Sequence, residues 1–129
     1  MASDIRIVGM SGNSVEPIVN SKLYRFIFHL SVRPEYDWKL LYEQTARDKI
    51  EPARRRSTIV DDTIIVEISV DDDKQQQLDF QKEIVAQVNA KYDAAQEQVA
   101  RDLATRLRLQ QDADAELARL REEAKGLRF

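Results

Sequence analysis

Residues 73–125 read DKQQQLDF QKEIVAQVNA KYDAAQEQVA RDLATRLRLQ QDADAELARL REEAK, and this stretch decides the fold. It contains neither proline nor glycine, and the strong helix formers Ala, Gln, Leu, Glu, Lys and Arg dominate it. Asp71-Asp72-Asp73 supplies an N-cap and places negative charge at the positive end of the helix dipole. Gly126 follows Lys125 where a C′ residue belongs, with Arg121 and Lys125 in the last turn. Both ends are signalled, so the pattern predicts one helix from Asp73 to Lys125. Gln110-Gln111-Asp112 is the one place where a kink or turn would fit.

A helix of roughly fifty residues is about 75 Å long, whereas a sheet of short strands measures only about 20 Å along them. A small sheet therefore covers the first few turns and no more. Those turns carry a broad apolar stripe, Leu78, Phe80, Ile84, Val85, Val88 and Tyr92, expected to complete a core. Beyond Tyr92 a narrower stripe continues through Ala95, Val99, Leu103 and Leu107, then Ala113, Leu117, Leu120, Ala124 and Leu127. The later steps of 4, 3, 4 and 3 match heptad a and d positions. The two steps of 4 from Val99 to Leu107 resemble a stutter. Glu97 with Arg101 and Asp102 with Arg106 add i, i+4 pairs in the favoured order.

Such pairs support a helix but bury no leucine, and most helix stability in proteins comes from packing an apolar face. Three surfaces would meet that need: a second copy in a coiled coil, the groove of another helical protein, or this chain folding back near Gln110. The second copy is the expectation, giving a homodimer or higher homo-oligomer through Val99, Leu103, Leu107, Leu117, Leu120 and Leu127. The Ala-rich seam interrupted by Gln110 suits an antiparallel pair as well as a parallel one.

Upstream, Lys22–Arg33 alternates strictly: Tyr24, Phe26, Phe28, Leu30 and Val32 share one face, while Arg25, Ile27, His29 and Ser31 share the other. Period two with aromatics on one side marks a half-buried strand. Asp4–Met10 reads as an earlier strand in which Gly9 marks a bulge or close backbone approach. Ser11–Ser14 is turn chemistry, and Pro17 is expected to keep the connection irregular. Asp37 is the expected N-cap of a short helix carrying Trp38, Leu41, Tyr42 and Thr45 on one face. Thr58–Val60 and Thr63–Val70, separated by Asp61-Asp62, read as a hairpin, although Asp-Asp is a poorer type I′ turn than Asn-Gly. The fold class expected is α+β: a small antiparallel sheet in the order β-β-α-β-β, one short helix and a very long C-terminal helix. Residues 1–92 form the α+β domain and residues 93–129 the oligomerising helical extension.

At 129 residues the chain has room for one core. Charged residues reach 33%, and the excess lies on the long helix: residues 71–129 hold 13 acids and 10 bases, while residues 1–70 hold 10 of each. A net charge of −3 argues against nucleic acid and against an anionic membrane as partners. No apolar run approaches membrane-spanning length. The absence of cysteine removes disulfides, thiolate catalysis and Cys-based zinc sites. With no secretory h-region after Met1, cytoplasmic localisation is expected.

Candidate chemistry is sparse. Arg54-Arg55-Arg56, with Arg47 and Lys49 nearby, has the guanidinium chemistry of an anion or nucleic-acid site, the alternative to a scaffold role. Tyr24, Phe26 and Phe28 are expected to be core rather than a base-stacking platform. The acids at 71–73 and 61–62 are contiguous, unlike a calcium loop, and no metal is expected. His29 is the only histidine, and a hydrolase-type site around it would need an acid to orient it. No nucleophile elbow, P-loop or dinucleotide fingerprint is present, so no cofactor and no enzymatic activity are expected.

Overall fold

The computed structural model describes residues 4–10, 12–49 and 51–129. It is an α+β structure with a small antiparallel sheet, a short helix and a long C-terminal helix. The strands are β1 (Ile7–Gly9), β2 (Val15–Pro17), β3 (Leu23–Leu30), β4 (Ser57–Val60) and β5 (Thr63–Ser69), and the helices are α1 (Tyr36–Asp48) and α2 (Lys74–Lys125). Contacts divide the chain into two units, Met1–Asp93 and Ala94–Phe129.

The sheet has five strands rather than the expected four, in the order β1-β3-β5-β4, with β2 also on β3. Since β5 pairs along the length of β3, both β1 and β2 lie on the opposite edge of β3. From Gly9 to Val15 this edge advances six residues while β3 moves only three, from His29 to Phe26. Gly12–Ser14, a 3₁₀ turn, sits within that surplus. Pro17, expected only to disorder the connection, instead ends β2 opposite Tyr24. An edge strand tolerates proline because its missing N–H takes nothing from the ladder. The expected irregularity at Gly9 is present: the β1–β3 register shifts between Ile7 and Gly9, and Gly9 has φ 151°. A Cβ there would meet no atom within 4 Å, so backbone angle rather than space calls for glycine.

In the β4–β5 hairpin Val60 pairs with Thr63 across Asp61-Asp62. Asp61 carries the positive φ, 54°, while Asp62 does not, so only half of the type I′ requirement is met. Alternation then puts Ile64, Val66 and Ile68 in the core, joined by Ile59 from β4 and by Phe28 and Leu30 from β3. Val32 falls beyond the end of β3 and is exposed, so the expected five-residue apolar face is shorter.

The same core takes Trp38, Tyr42 and Ala46 from α1 and Ile84, Val85 and Val88 from α2. Helix α1 begins one residue before the expected cap. Glu35 occupies the N-cap position without capping, because its carboxylate accepts the Tyr92 hydroxyl at 2.6 Å. Asp37 lies in the first turn, where it still favours the dipole. Helix α2 is capped as expected: Asp73 Oδ1 accepts the Gln76 N–H at 3.0 Å. It runs without interruption through Gln110–Asp112. Gly126 does not take the left-handed conformation of a C′ glycine; its N–H reaches Glu123 O at 3.0 Å.

The buried side of α2 differs from the expected stripe. Gln77 and Gln81 are buried, whereas Leu78 and Phe80 are half-buried. At 3.6 residues per turn the line through 77, 81, 84 and 88 sets the phase, and positions 78 and 80 fall about 80° to either side. Gln77 Oε1 accepts the Arg55 N–H at 2.9 Å and its Nε2 donates to Ala53 O at 2.6 Å. Gln81 Oε1 accepts the Tyr42 hydroxyl at 2.5 Å, while Gln81 Nε2 is buried without a partner. Asn89 joins α1 to the sheet side, accepting from Trp38 Nε1 at 2.9 Å and donating to Ile5 O at 2.8 Å. Trp38 is thereby a core anchor.

Candidate functional site

The residues singled out for assembly all lie on α2 in the unit Ala94–Phe129, in which no residue is buried. Val99, Leu103, Leu107, Leu117, Leu120 and Leu127 are 46–62% exposed. Leu109 and Phe129 are exposed as well, outside the stripe that periodicity picked out. Intrahelical polar contacts stiffen this segment. Arg101 pairs with Glu97 at 3.9 Å, Lys125 with Glu122 at 3.2 Å, and Arg119 with Glu116. Asp102, expected to pair with Arg106, accepts instead from Gln98 Nε2 at 2.9 Å. Gln110 Nε2 donates to Asp114 Oδ1 at 3.0 Å, so these side chains share a face.

The three consecutive arginines do not act as one group. Arg55 makes a two-pronged bond to Asp72, with Nε to Oδ2 at 2.8 Å and Nη2 to Oδ1 at 2.7 Å. Asp72 also accepts the Ser69 N–H at 2.8 Å. The bond to Arg55 holds the Asp72 carboxyl below its usual range, and Asp72 in turn raises Arg55. Arg54 turns inward: Nη2 donates to Ala46 O at 2.6 Å, near the end of α1. Its Nε is buried without a partner. Arg56 is exposed and, with Arg54 and with Arg47 from α1, lines a shallow cleft of about 270 Å³ that also holds Glu43 and Ser57. Arg55 is thus engaged by Asp72, while Arg47 shares the cleft with Arg54 and Arg56.

His29 has no carboxylate partner among the described residues. Its Nε2 lies 3.3 Å from Ser14 Oγ, and Ser14 is 3% exposed, so that hydroxyl is closed to a substrate. The acid clusters have structural duties: Asp73 caps α2, Asp72 holds Arg55, and Asp61 turns the hairpin and lies 3.6 Å from Arg33. Phe28 is buried and Phe26 half-buried, with ring centroids 6.5 Å apart. With Tyr24, Phe26 lines a small apolar recess rather than an open platform. Among the described residues no helix is long and apolar enough to cross a membrane.

No family model, curated protein or solved structure matches this chain. Sequence reasoning placed Arg47 near the basic run but missed the tie of Arg55 to Asp72, because that bond depends on elements brought together by the fold. The burial of Gln77 and Gln81 had a signal: both are in phase with Ile84 and Val88.

Proposed function

We propose that this chain is a non-enzymatic scaffold or interaction protein that self-associates through the apolar face of residues 94–129, in the manner of a coiled coil. One observation carries the reading. Six large aliphatic side chains along one helix stripe are about half exposed, in a unit with no buried residue of its own. A helix gains most of its stability by packing such a face, and contiguous apolar surface of this kind marks an interaction site. The half-heptad spacing supplies a face that a second copy of the same helix fits. A cysteine-free chain of this kind suits the reducing cytoplasm. Sedimentation equilibrium on the intact chain tests the proposal: the mass should rise above 15.0 kDa with concentration. A single-chain mass at every concentration would sink it.

A second reading has a specific observation behind it. Arg47, Arg54 and Arg56 face one cleft, and the buried Arg54 Nε has no acceptor. An oxyanion in the cleft would face these guanidinium groups, opposed by Glu43 and by the negative end of α1. Titration with inorganic phosphate followed by calorimetry decides it, with Arg47→Ala and Arg56→Ala each expected to abolish any heat.

A further inference from the structure

Three polar residues interrupt the apolar seam at its middle. Arg106, Gln110 and Asp114 follow one another at intervals of four, between Leu103 and Leu117, which each lie seven residues from Gln110. Positions four apart on a helix are neighbours on one face. The 3.0 Å bond from Gln110 to Asp114 realises that geometry. The pattern is self-complementary about Gln110: a cation lies four residues before it and an anion four residues after.

Resting on the self-association proposed above, we infer that the partner of this face is a second copy running antiparallel, with the two-fold axis at Gln110. In that arrangement Leu103 of one copy meets Leu117 of the other, and Gln110 faces Gln110. Arg106 meets Asp114 twice, once on each side of the axis. A parallel in-register pair sets Arg106 against Arg106 and Asp114 against Asp114. Like charges at that range repel, and opposite charges attract, by comparable small amounts. The sign of the electrostatic contribution therefore selects the antiparallel pair. A shift of one heptad in either direction separates Arg106 from Asp114 and puts Gln110 against an aliphatic side chain. The polar layer thus fixes register as well as direction, as a single polar seam position does in other helix pairs.

Charge exchange tests this. Arg106→Glu and Asp114→Arg should each weaken dimerisation by about tenfold, from two pairs per dimer turned repulsive. The double variant R106E/D114R should return to within about threefold of the original constant, at the same conversion. A parallel in-register dimer keeps like facing like in all three variants, so three unchanged constants would overturn the orientation. Because the chain has no cysteine, cross-linking gives an independent readout. On air oxidation the double variant L103C/L117C should form a covalent dimer, and L103C alone should not. In an antiparallel pair the two copies of position 103 lie fourteen residues, about 21 Å, apart. A covalent dimer from L103C alone would overturn the antiparallel assignment while leaving self-association standing. A monomeric parent protein would remove both.

Discussion

If residues 94–129 self-associate as proposed, replacing both Leu103 and Leu117 by aspartate should leave single chains without disturbing the sheet. The two side chains are 56% and 46% exposed, so association removes about half of each from water. Fully burying a leucine contributes about 1.5–3 kcal/mol, and half of that is roughly 0.8–1.5 kcal/mol. A dimer contains four such side chains, which together account for about 3–6 kcal/mol, or roughly a hundredfold to ten-thousandfold in the dissociation constant. Carboxylates introduced opposite one another add repulsion, so the hundredfold figure is the lower bound. Sedimentation velocity across a concentration series reads the effect directly, and the variant should sediment as a monomer where the parent does not. Both positions lie in the unit Ala94–Phe129, while the core belongs to Met1–Asp93. Near-ultraviolet circular dichroism, reporting Trp38 and Tyr42 in the core, should therefore remain as in the parent. An unchanged sedimentation profile would refute the assembly role of these leucines. Loss of the Trp38 signal would refute the premise that they contribute nothing to the core.

Three further expectations concern the α+β unit. Gln81→Leu removes the unpartnered Nε2 and should be neutral or stabilising by up to about 1 kcal/mol, whereas Tyr42→Phe strands the Gln81 amide and should cost about 1–3 kcal/mol in urea unfolding. A Gln81→Leu cost equal to that of Tyr42→Phe would mean that the amide has found a partner. Burial outweighs the Ser57 bond and the Arg54 charge and pushes the Tyr42 phenol up to about 12, so a spectrophotometric titration should show a tyrosine that ionises late, near that value. Because that folded value lies above the unfolded one of about 10, stability should be full below about pH 10 and fall as pH rises toward the folded value. Asp72 works in the opposite direction. Its folded value is depressed, so its contribution is complete above the unfolded value of about 3.9 and is lost as pH falls through the folded one. Asp72→Asn should flatten the acid limb of the urea midpoint below about pH 4, and an unaltered limb would show that the Arg55 bond contributes nothing.

Much of this architecture is legible in order along the chain. Period two in β3 and β5 identifies strands and their inward faces, since alternation is a property of extended backbone itself. Asp73, the run free of proline and glycine, and the 3.6-residue period identify α2. The apolar stripe of residues 94–129 is legible for the same reason, since the period alone places its exposed aliphatic residues along one uninterrupted helix. The strand Val15–Pro17 was not legible, because three residues ending in proline become a strand only when the edge of β3 is there to pair with them.

The chain alone determined its elements and the direction of most of their faces, because φ/ψ preference, capping and hydrophobic period act between near neighbours. Tertiary structure alone decided which partners the buried polar groups meet and which charges are paired. Gln81, carried inward by its helical phase, meets Tyr42 there, and Arg55 is bound by Asp72, seventeen residues away. A hydrogen bond or an ion pair is worth making only where the two groups come within about 3 Å, and no local pattern records that distance.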